Sequence, residues 1–355
     1  MTTVVIGGGI AGVSVAAELA VSRDVVLVEA EPMLARHTTG RSAAVYLPSY
    51  GGPVIRALTA ASRTRFAPEL LSPRPMLWVS TDEDGDQHVR DTLAAGTAEP
   101  ITVAQARELC SALRPDAFRS IAIDTGTMDI DAMGLHQHYV RELKARGGEI
   151  RMGAPVTALT RDGGGWRISL GEDELHADEV VNAAGAWADH VAALAGIPSI
   201  GLTPLKRTIA IAVGKPVDPA WPLVADAADR FYFRPEGEGV LLSPADETPS
   251  EPCDAKPDDL DVALALERVN EVTTLGLRSV RTAWAGLRSF TPGRTPVVGA
   301  APGHPGFHFF AGQGGYGIQM APALAAAGAA VILGAAIPAD IAVTAQDLRS
   351  PQWTA

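Results

Sequence analysis

The stretch Thr3-Val4-Val5-Ile6-Gly7-Gly8-Gly9-Ile10-Ala11-Gly12-Val13, with Val25-Val26-Leu27-Val28-Glu29 shortly after it, decides how this chain is read. An apolar strand runs into a glycine turn, an apolar helix follows over 13–21, and a second apolar strand ends on an acid. That is a βαβ unit within about thirty residues. In the spacing Gly7-x-Gly9-x-x-Gly12 the first glycine permits the tight turn and the second lets a diphosphate approach the backbone. The third allows the helix to pack closely on the strand. The helix N-terminus then faces the anion with its dipole and free N–H groups. Glu29 stands where an acid accepts hydrogen bonds from ribose hydroxyls, which favours an unphosphorylated ribose over a 2′-phosphate. A bare strand-to-helix turn does not require three glycines and an acid in register, so the unit reads as a dinucleotide site.

The composition of the rest fits such a protein. The chain has 355 residues, with 29 Lys and Arg against 41 Asp and Glu, a net charge of −12 that argues against binding a nucleic-acid backbone. Apolar residues make up 47% and charged residues 20%, and the 36 Gly and 26 Pro fall short of low complexity, so a real core and roughly two domains are expected. Cys110 and Cys253 are the only cysteines. They form no C-x-x-C pair and no Cys/His ligand spacing, so neither a disulfide scaffold nor a metal site is expected, and a reducing cytoplasm is the expected location. The apolar N-terminus lacks the basic region of a signal peptide. Residues 305–339 carry no charge, counting His308 as neutral, but Gly312, Gly314, Gly315 and Gly317 break the run and Pro338 closes it. It reads as one buried helix over 316–334 rather than a membrane span, which needs about 20 residues.

Further along, the pattern predicts a helix over 53–66, a strand over 76–80 ending in the acidic turn Asp82-Glu83-Asp84-Gly85-Asp86, and a helix over 131–146 stopped by Gly147-Gly148. Strands are expected over 149–152, 156–160 and 166–170. Val180-Val181-Asn182-Ala183-Ala184-Gly185 reads as a buried strand entering a glycine turn and a helix over 187–195. Residues 202–290 differ: period-two strands over 208–213, 231–234 and 240–243 with one helix over 260–273 suggest a mixed, largely antiparallel layer. The nucleotide-type pattern then returns at Val297-Val298-Gly299 and 307–310. The expected fold is therefore α/β, a discontinuous Rossmann-like binding domain (1–75, 133–203 and 291–350) with an α+β substrate domain (76–132 and 204–290).

An NAD domain is usually one contiguous block, whereas here strand-glycine patterns recur far along the chain. That spread favours FAD, whose isoalloxazine extends beyond the first βαβ unit. Thr38-Thr39-Gly40-Arg41-Ser42-Ala43-Ala44 follows the second strand and offers small side chains and hydroxyls suited to pyrophosphate and the flavin edge. Gly314-Gly315-Tyr316-Gly317 precedes a helix and offers backbone N–H groups where negative charge accumulates on flavin reduction.

These segments, with His37, Asn182-Ala183-Ala184-Gly185-Ala186-Trp187, Trp284-Ala285-Gly286-Leu287-Arg288-Ser289-Phe290 and Gln313-Gly314-Gly315-Tyr316-Gly317-Ile318-Gln319, resemble the D-amino-acid-oxidase-type flavoproteins over nearly the whole chain. Within that group the sequence is most similar to FAD-dependent D-arginine dehydrogenases, a likeness supported by 56–63 and Leu71-Ser72-Pro73-Arg74-Pro75. The resemblance implies oxidation of an amino acid by hydride transfer from Cα to flavin N5, giving an imino acid that hydrolyses to a 2-oxo acid and ammonia. It implies a carboxylate clamp of Arg207 and Arg288, with Tyr50 and Tyr232 as hydroxyl donors covering the site. Gly315 and Gln319 would face the flavin or substrate. The implied cofactor contacts are Gly7, Gly9, Ile10, Ala11, Gly12, Glu29 and Ala30, the run from Thr38 to Ala44, Val156, Ala184, Gly185 and Trp187, and the run from Gly314 to Ile318. The position of His37 matches members that hold FAD noncovalently. The substrate would be a small amino acid and the electron acceptor a quinone, an electron-transfer protein or oxygen.

The chain departs from the arginine dehydrogenases where they place an acid after the Arg-Pro pair. Met76 stands there, with Leu77 and Trp78 beyond it, and Val45 and Leu47 replace more polar residues near the ring. A methionine fills apolar space and cannot neutralise a guanidinium. Leaving a buried cation unpaired costs roughly 2 to 5 kcal/mol, so D-Leu, D-Met or D-Phe is expected to be preferred over D-Arg. Asp229, close to the Tyr232 hairpin, is the remaining acid nearby and would restore a basic preference if it faced the pocket; otherwise it reads as a solvated turn residue. Alternative readings are an oxygen-using oxidase of glycine or N-alkyl amino acids, an NAD-dependent dehydrogenase, and a noncatalytic flavin-binding protein.

Overall fold

Strand β1 (Thr2–Ile6), helix α1 (Ile10–Leu19) and strand β2 (Asp24–Val28) form the βαβ unit that the glycine spacing predicts. The structure, a computed structural model, describes residues 1–354. β1 lies inside a six-stranded sheet ordered Val297–Ala300, Phe307–Ala311, Glu179–Asn182, β1, β2 and Glu149–Arg151. All neighbours are parallel except Val297–Ala300, which runs antiparallel to Phe307–Ala311. Ile6 is level with both Asn182 and Val28. The turns that follow these three strands therefore emerge together at one carboxyl edge, where open parallel sheets bind ligands.

Helix α1 is apolar on nearly every side because it is covered on nearly every side. The helices Gly317–Ile332 and Ala132–Ala145 pack against it, and Val13, Val15 and Leu19 share one core with Leu324, Leu135 and Leu143. The uncharged stretch 305–339 resolves into the strand Phe307–Ala311, a glycine turn and the 16-residue helix Gly317–Ile332, most of it buried. Among the described residues no helix is long and apolar enough to cross a membrane.

The second sheet is the mixed, largely antiparallel layer expected over 202–290. Its order is Thr248–Pro249, Thr203–Val213, Gly239–Ser243, Tyr232–Glu236, Leu223–Asp226, Met76–Ser80, Ser120–Asp124 and Glu99–Ile101, with the long strand Ser279–Phe290 paired to Thr203–Val213. Among the described residues of this sheet only Leu223–Asp226 and Met76–Ser80 pair in parallel. A three-stranded meander, Ala158–Asp162, Gly165–Leu170 and Asp173–Ala177, completes the cofactor side.

Two local expectations need correction. The acidic stretch after Ser80 is no mere turn: Asp82 accepts the N–H of Gly85 at 2.9 Å and caps the helix Glu83–Ala94. Glu83, Asp84 and Asp86 crowd its first turn, where the helix dipole favours negative charge. The strand expected over 156–160 begins two residues later, at Ala158, so Val156 lies in an irregular segment.

Candidate active site

A cavity of about 540 Å³ extends from the glycine turn to one face of the second sheet. At its first end, Gly7 takes φ +115°, and a side chain there would stand 2.5 Å from the carbonyl oxygen of Ala183. Gly12 closes the turn from behind, since a Cβ on it would lie 1.8 Å from the carbonyl oxygen of Gly7. No side chain caps α1 at Gly9, which leaves its N-terminal donors to the cavity apart from Ile10, whose N–H reaches Thr39 Oγ1 at 3.0 Å. Glu29 accepts the N–H of Gly8 at 2.6 Å and that of Glu31 at 2.8 Å, so its carboxylate is fixed at the end of β2. His136 supports the turn from beneath. Its Nε2 lies 2.9 Å from the Gly8 carbonyl, an acceptor, so this nitrogen carries the proton, and burial lowers the histidine pKa.

At the other end, register places the two arginines. Arg207 lies opposite Gly286 and Arg288 opposite Leu205, so the arginines are diagonal neighbours on one face of adjacent strands. Their side chains are 9% and 10% exposed, and both line the cavity. Nη1 of Arg288 occupies the space above Gly315, where a Cβ would come within 2.6 Å of it. Among the described residues Nη2 of Arg207 and Nε of Arg288 are buried without a hydrogen-bond partner, although Nη2 of Arg207 lies 3.7 Å from a Glu247 carboxylate oxygen. The neighbouring Tyr232, Asp229 and Tyr50 raise the Arg207 pKa despite a burial that alone would lower it. Tyr50 donates its hydroxyl to Asp229 at 3.1 Å, and burial first, then Asp229, push the phenol well above its usual range, so it is a neutral donor.

The wall between the two ends is apolar. Met76 pairs with Leu223 and Trp78 with Ala225, and alternation along the strands turns all four to one face. Leu47 packs in the same cluster, with Val45, Tyr50 and Tyr232 against it.

A family model described as "FAD dependent oxidoreductase" (DAO) matches residues 2–330. The chain belongs to this family. FAD is accordingly the cofactor of this FAD-dependent oxidoreductase, and the nicotinamide alternative falls. The anaerobic glycerol-3-phosphate dehydrogenase subunit A1 of Haloferax volcanii is 28% identical over 314 residues, 80% of this chain and 53% of that protein. The mitochondrial dimethylglycine dehydrogenase of Rattus norvegicus is 28% identical over 264 residues, 68% of this chain and 30% of that protein. The chain thus spans about half or less of the length of these curated relatives. Among solved structures, glycine oxidase from Geobacillus kaustophilus superposes with a TM-score of 0.86 at 19% identity, covering 99% of this chain and 98% of that one, a likeness of fold.

The residues present fit FAD. An uncapped helix N-terminus, a glycine turn that side chains would obstruct, and a fixed acid at the end of β2 suit the adenosine diphosphate half. Gly185, Trp187, Gly314 and Gly315 line the continuation of the same cavity towards the arginines.

Most residues singled out in the sequence meet in this cavity, including Tyr50, Tyr232, Val45, Leu47, Met76, Val156, Ala30 and Ile318. Three implied cofactor contacts do not line it. Gly12 serves the packing just described, Gly40 donates its N–H to the Ala35 carbonyl at 3.0 Å inside a turn, and Tyr316 packs edge-on between Tyr50 and Phe290. Arg41 and Gln319 line the cavity but have other partners. Arg41 pairs with Asp254 and donates to the Ala255 and Ala285 carbonyls at 2.9 Å, fastening the 38–44 run to the second sheet. Gln319 accepts the N–H of Leu47 and donates to Thr59, both at 3.1 Å. His37 lies 2.9 Å from Glu31 and packs at a tilt against Trp187. Asp229, read either as an acid serving a basic substrate or as a solvated turn residue, is exposed at φ +58° and contacts the cavity. Trp78, Leu223 and Ala225 were not singled out as pocket residues. Strand alternation from Met76 pointed to Trp78, but nothing local marked the other two.

Proposed function

We propose that this FAD-dependent oxidoreductase oxidises the Cα–N bond of amino acids with uncharged, apolar side chains, D enantiomers such as D-Leu, D-Met or D-Phe. The observation that carries this reading is the pair of diagonal guanidiniums that line, opposite an apolar wall, the cavity that begins at the glycine turn. A guanidinium grips a carboxylate through two parallel bonds and is charged at every working pH. The chemistry FAD supplies is acceptance of the hydride from the substrate Cα. Arg207 and Arg288 hold the carboxylate, and the hydroxyls of Tyr50 and Tyr232 add donors beside it. Met76, Trp78, Leu223 and Ala225 surround the side chain and exclude water. As the hydride leaves Cα, the amine lone pair forms the C=N bond and the amine gives up a proton. Water then adds to the imine, releasing ammonia and a 2-oxo acid. The segments 1–75, 133–203 and 291–350 would form the cofactor unit and the remainder the substrate unit.

The substrate class rests on Met76 and its apolar neighbours, and the D configuration on the motif resemblance. Anaerobic mixing of the yellow enzyme with a panel of D- and L-amino acids, read as loss of flavin absorbance, tests both. Bleaching is expected to be fastest with apolar D-amino acids and at least about a hundredfold slower with D-Arg, the consequence of roughly 2 to 5 kcal/mol for an unpaired buried cation. D-Arg or D-Lys as the best reductant would overturn the side-chain preference, and faster bleaching by the L enantiomers would overturn the configuration.

A further inference from the structure

The carboxylate clamp is held from behind by one dipeptide, Asp246-Glu247, on the connection between strands Gly239–Ser243 and Thr248–Pro249. The backbone carbonyl of Asp246 accepts Nε of Arg207 at 2.9 Å, and its carboxylate accepts the N–H of Thr208 at 2.6 Å. The carboxylate of Glu247 accepts Nη2 of Arg288 and lies 3.7 Å from Nη2 of Arg207. Arg294 grips the same carboxylate with both of its terminal nitrogens, at 2.9 and 3.3 Å. The Arg294 guanidinium in turn lies 3.8 Å from the centre of the Phe290 ring. Glu247 does not line the cavity, although both clamp arginines do.

This placement has a physical consequence. Two guanidiniums buried side by side repel each other, and each sits on a long side chain with many rotamers. An anion on the side away from the cavity offsets the repulsion and fixes the forks without occupying the substrate's place. Among the described residues neither Asp246 nor Glu247 takes Nη1 of either arginine, so these two groups remain for an incoming carboxylate.

We propose that Glu247, steadied by Arg294, is a positioning residue that aligns Arg288 and Arg207 for the substrate carboxylate, governing carboxylate affinity rather than the oxidation step. The proposal rests on the reading of the two arginines as the carboxylate clamp.

Benzoate, a carboxylate with an apolar ring suited to the Met76–Trp78 wall, is titrated into the FAD-loaded enzyme and its binding read from the visible flavin spectrum. Glu247→Ala is expected to raise the benzoate Kd about tenfold or more, as lost charge-assisted bonds do. Glu247→Gln, which keeps one oxygen acceptor but loses the charge, restores only part of the affinity. Arg294→Ala gives a smaller loss in the same direction and adds nothing to Glu247→Ala. With an amino acid substrate, KM follows the benzoate Kd while kcat stays within about twofold. Glu247→Ala binding benzoate as tightly as the wild type, or more tightly, overturns the proposal; where that variant does not retain FAD, unchanged binding by Arg294→Ala does so. Arg288→Met separates the two levels. If it abolishes benzoate binding while the Glu247 series has no effect, the clamp stands and the positioning role fails. If it binds benzoate like the wild type, both fail.

Discussion

Arg207 and Arg288 share a sheet face because Arg207 is level with Gly286, two residues before Arg288 on the neighbouring strand. Arg288→Met keeps the side-chain bulk and removes the fork. Each charge-assisted bond to a carboxylate is worth roughly 1.5 to 3 kcal/mol, so KM for the best amino acid is expected to rise well over tenfold. Steady-state kinetics check this, and unchanged kinetics would sink the clamp. That Arg288 lines the cavity was legible because it stands in a distinctive run, Trp284 to Phe290. Glu247 was not, because nothing in its local sequence shows that a loop carboxylate reaches arginines on two other strands. Arg41 has a partner that its motif does not reveal. The motif pointed to the cofactor, and Arg41 lines the cavity while also pairing with Asp254, more than 200 positions away.

Among the elements, the glycine turn was the most legible because its requirement is steric and local. Gly12 has no room for a methyl group: the Gly7 carbonyl stands 1.8 Å from where a Cβ would be. Gly12→Ala must push α1 away from β1, so it is expected to purify with little flavin and to lose about 1–3 kcal/mol of stability. Flavin content by absorbance and urea denaturation of the apoprotein check this, and a fully loaded variant of wild-type stability would refute it. The helix Glu83–Ala94 was missed because Asp82, three acids and Gly85 have the composition of a turn. They serve instead as a cap and a first turn matched to the helix dipole. The late start of Ala158–Asp162 has a different origin. Its pairing with Gly165–Leu170, from Ala158 opposite Ser169 to Asp162 opposite Gly165, sets where the strand begins.

On the scale of the whole molecule, His136 ties the helix Ala132–Ala145 to the glycine turn at the far end of the sequence. Burial keeps this histidine neutral and its pKa low. The unfolded chain binds the proton near pH 6.5 while the folded chain resists it, so stability is present above about pH 6.5 and is lost as pH falls towards the lowered folded value. His136→Asn is expected to shrink the fall in Tm between about pH 7.5 and 5.5 relative to the wild type. Equal falls in both proteins would refute the linkage. By itself, the sequence determined the βαβ unit, the FAD cofactor and the antiparallel character of the second layer. Those follow from short-range sterics and from alternation, which act over a few residues. Tertiary structure alone decided which polar groups stay free. It gave Arg41 to Asp254 and Gln319 to Leu47 and Thr59, brought Asp229 to Tyr50, and set Glu247 between Arg288 and Arg294. A buried charge or amide takes whichever partner the packed chain brings within about 3 Å, and that partner is chosen by the register and stacking of distant strands.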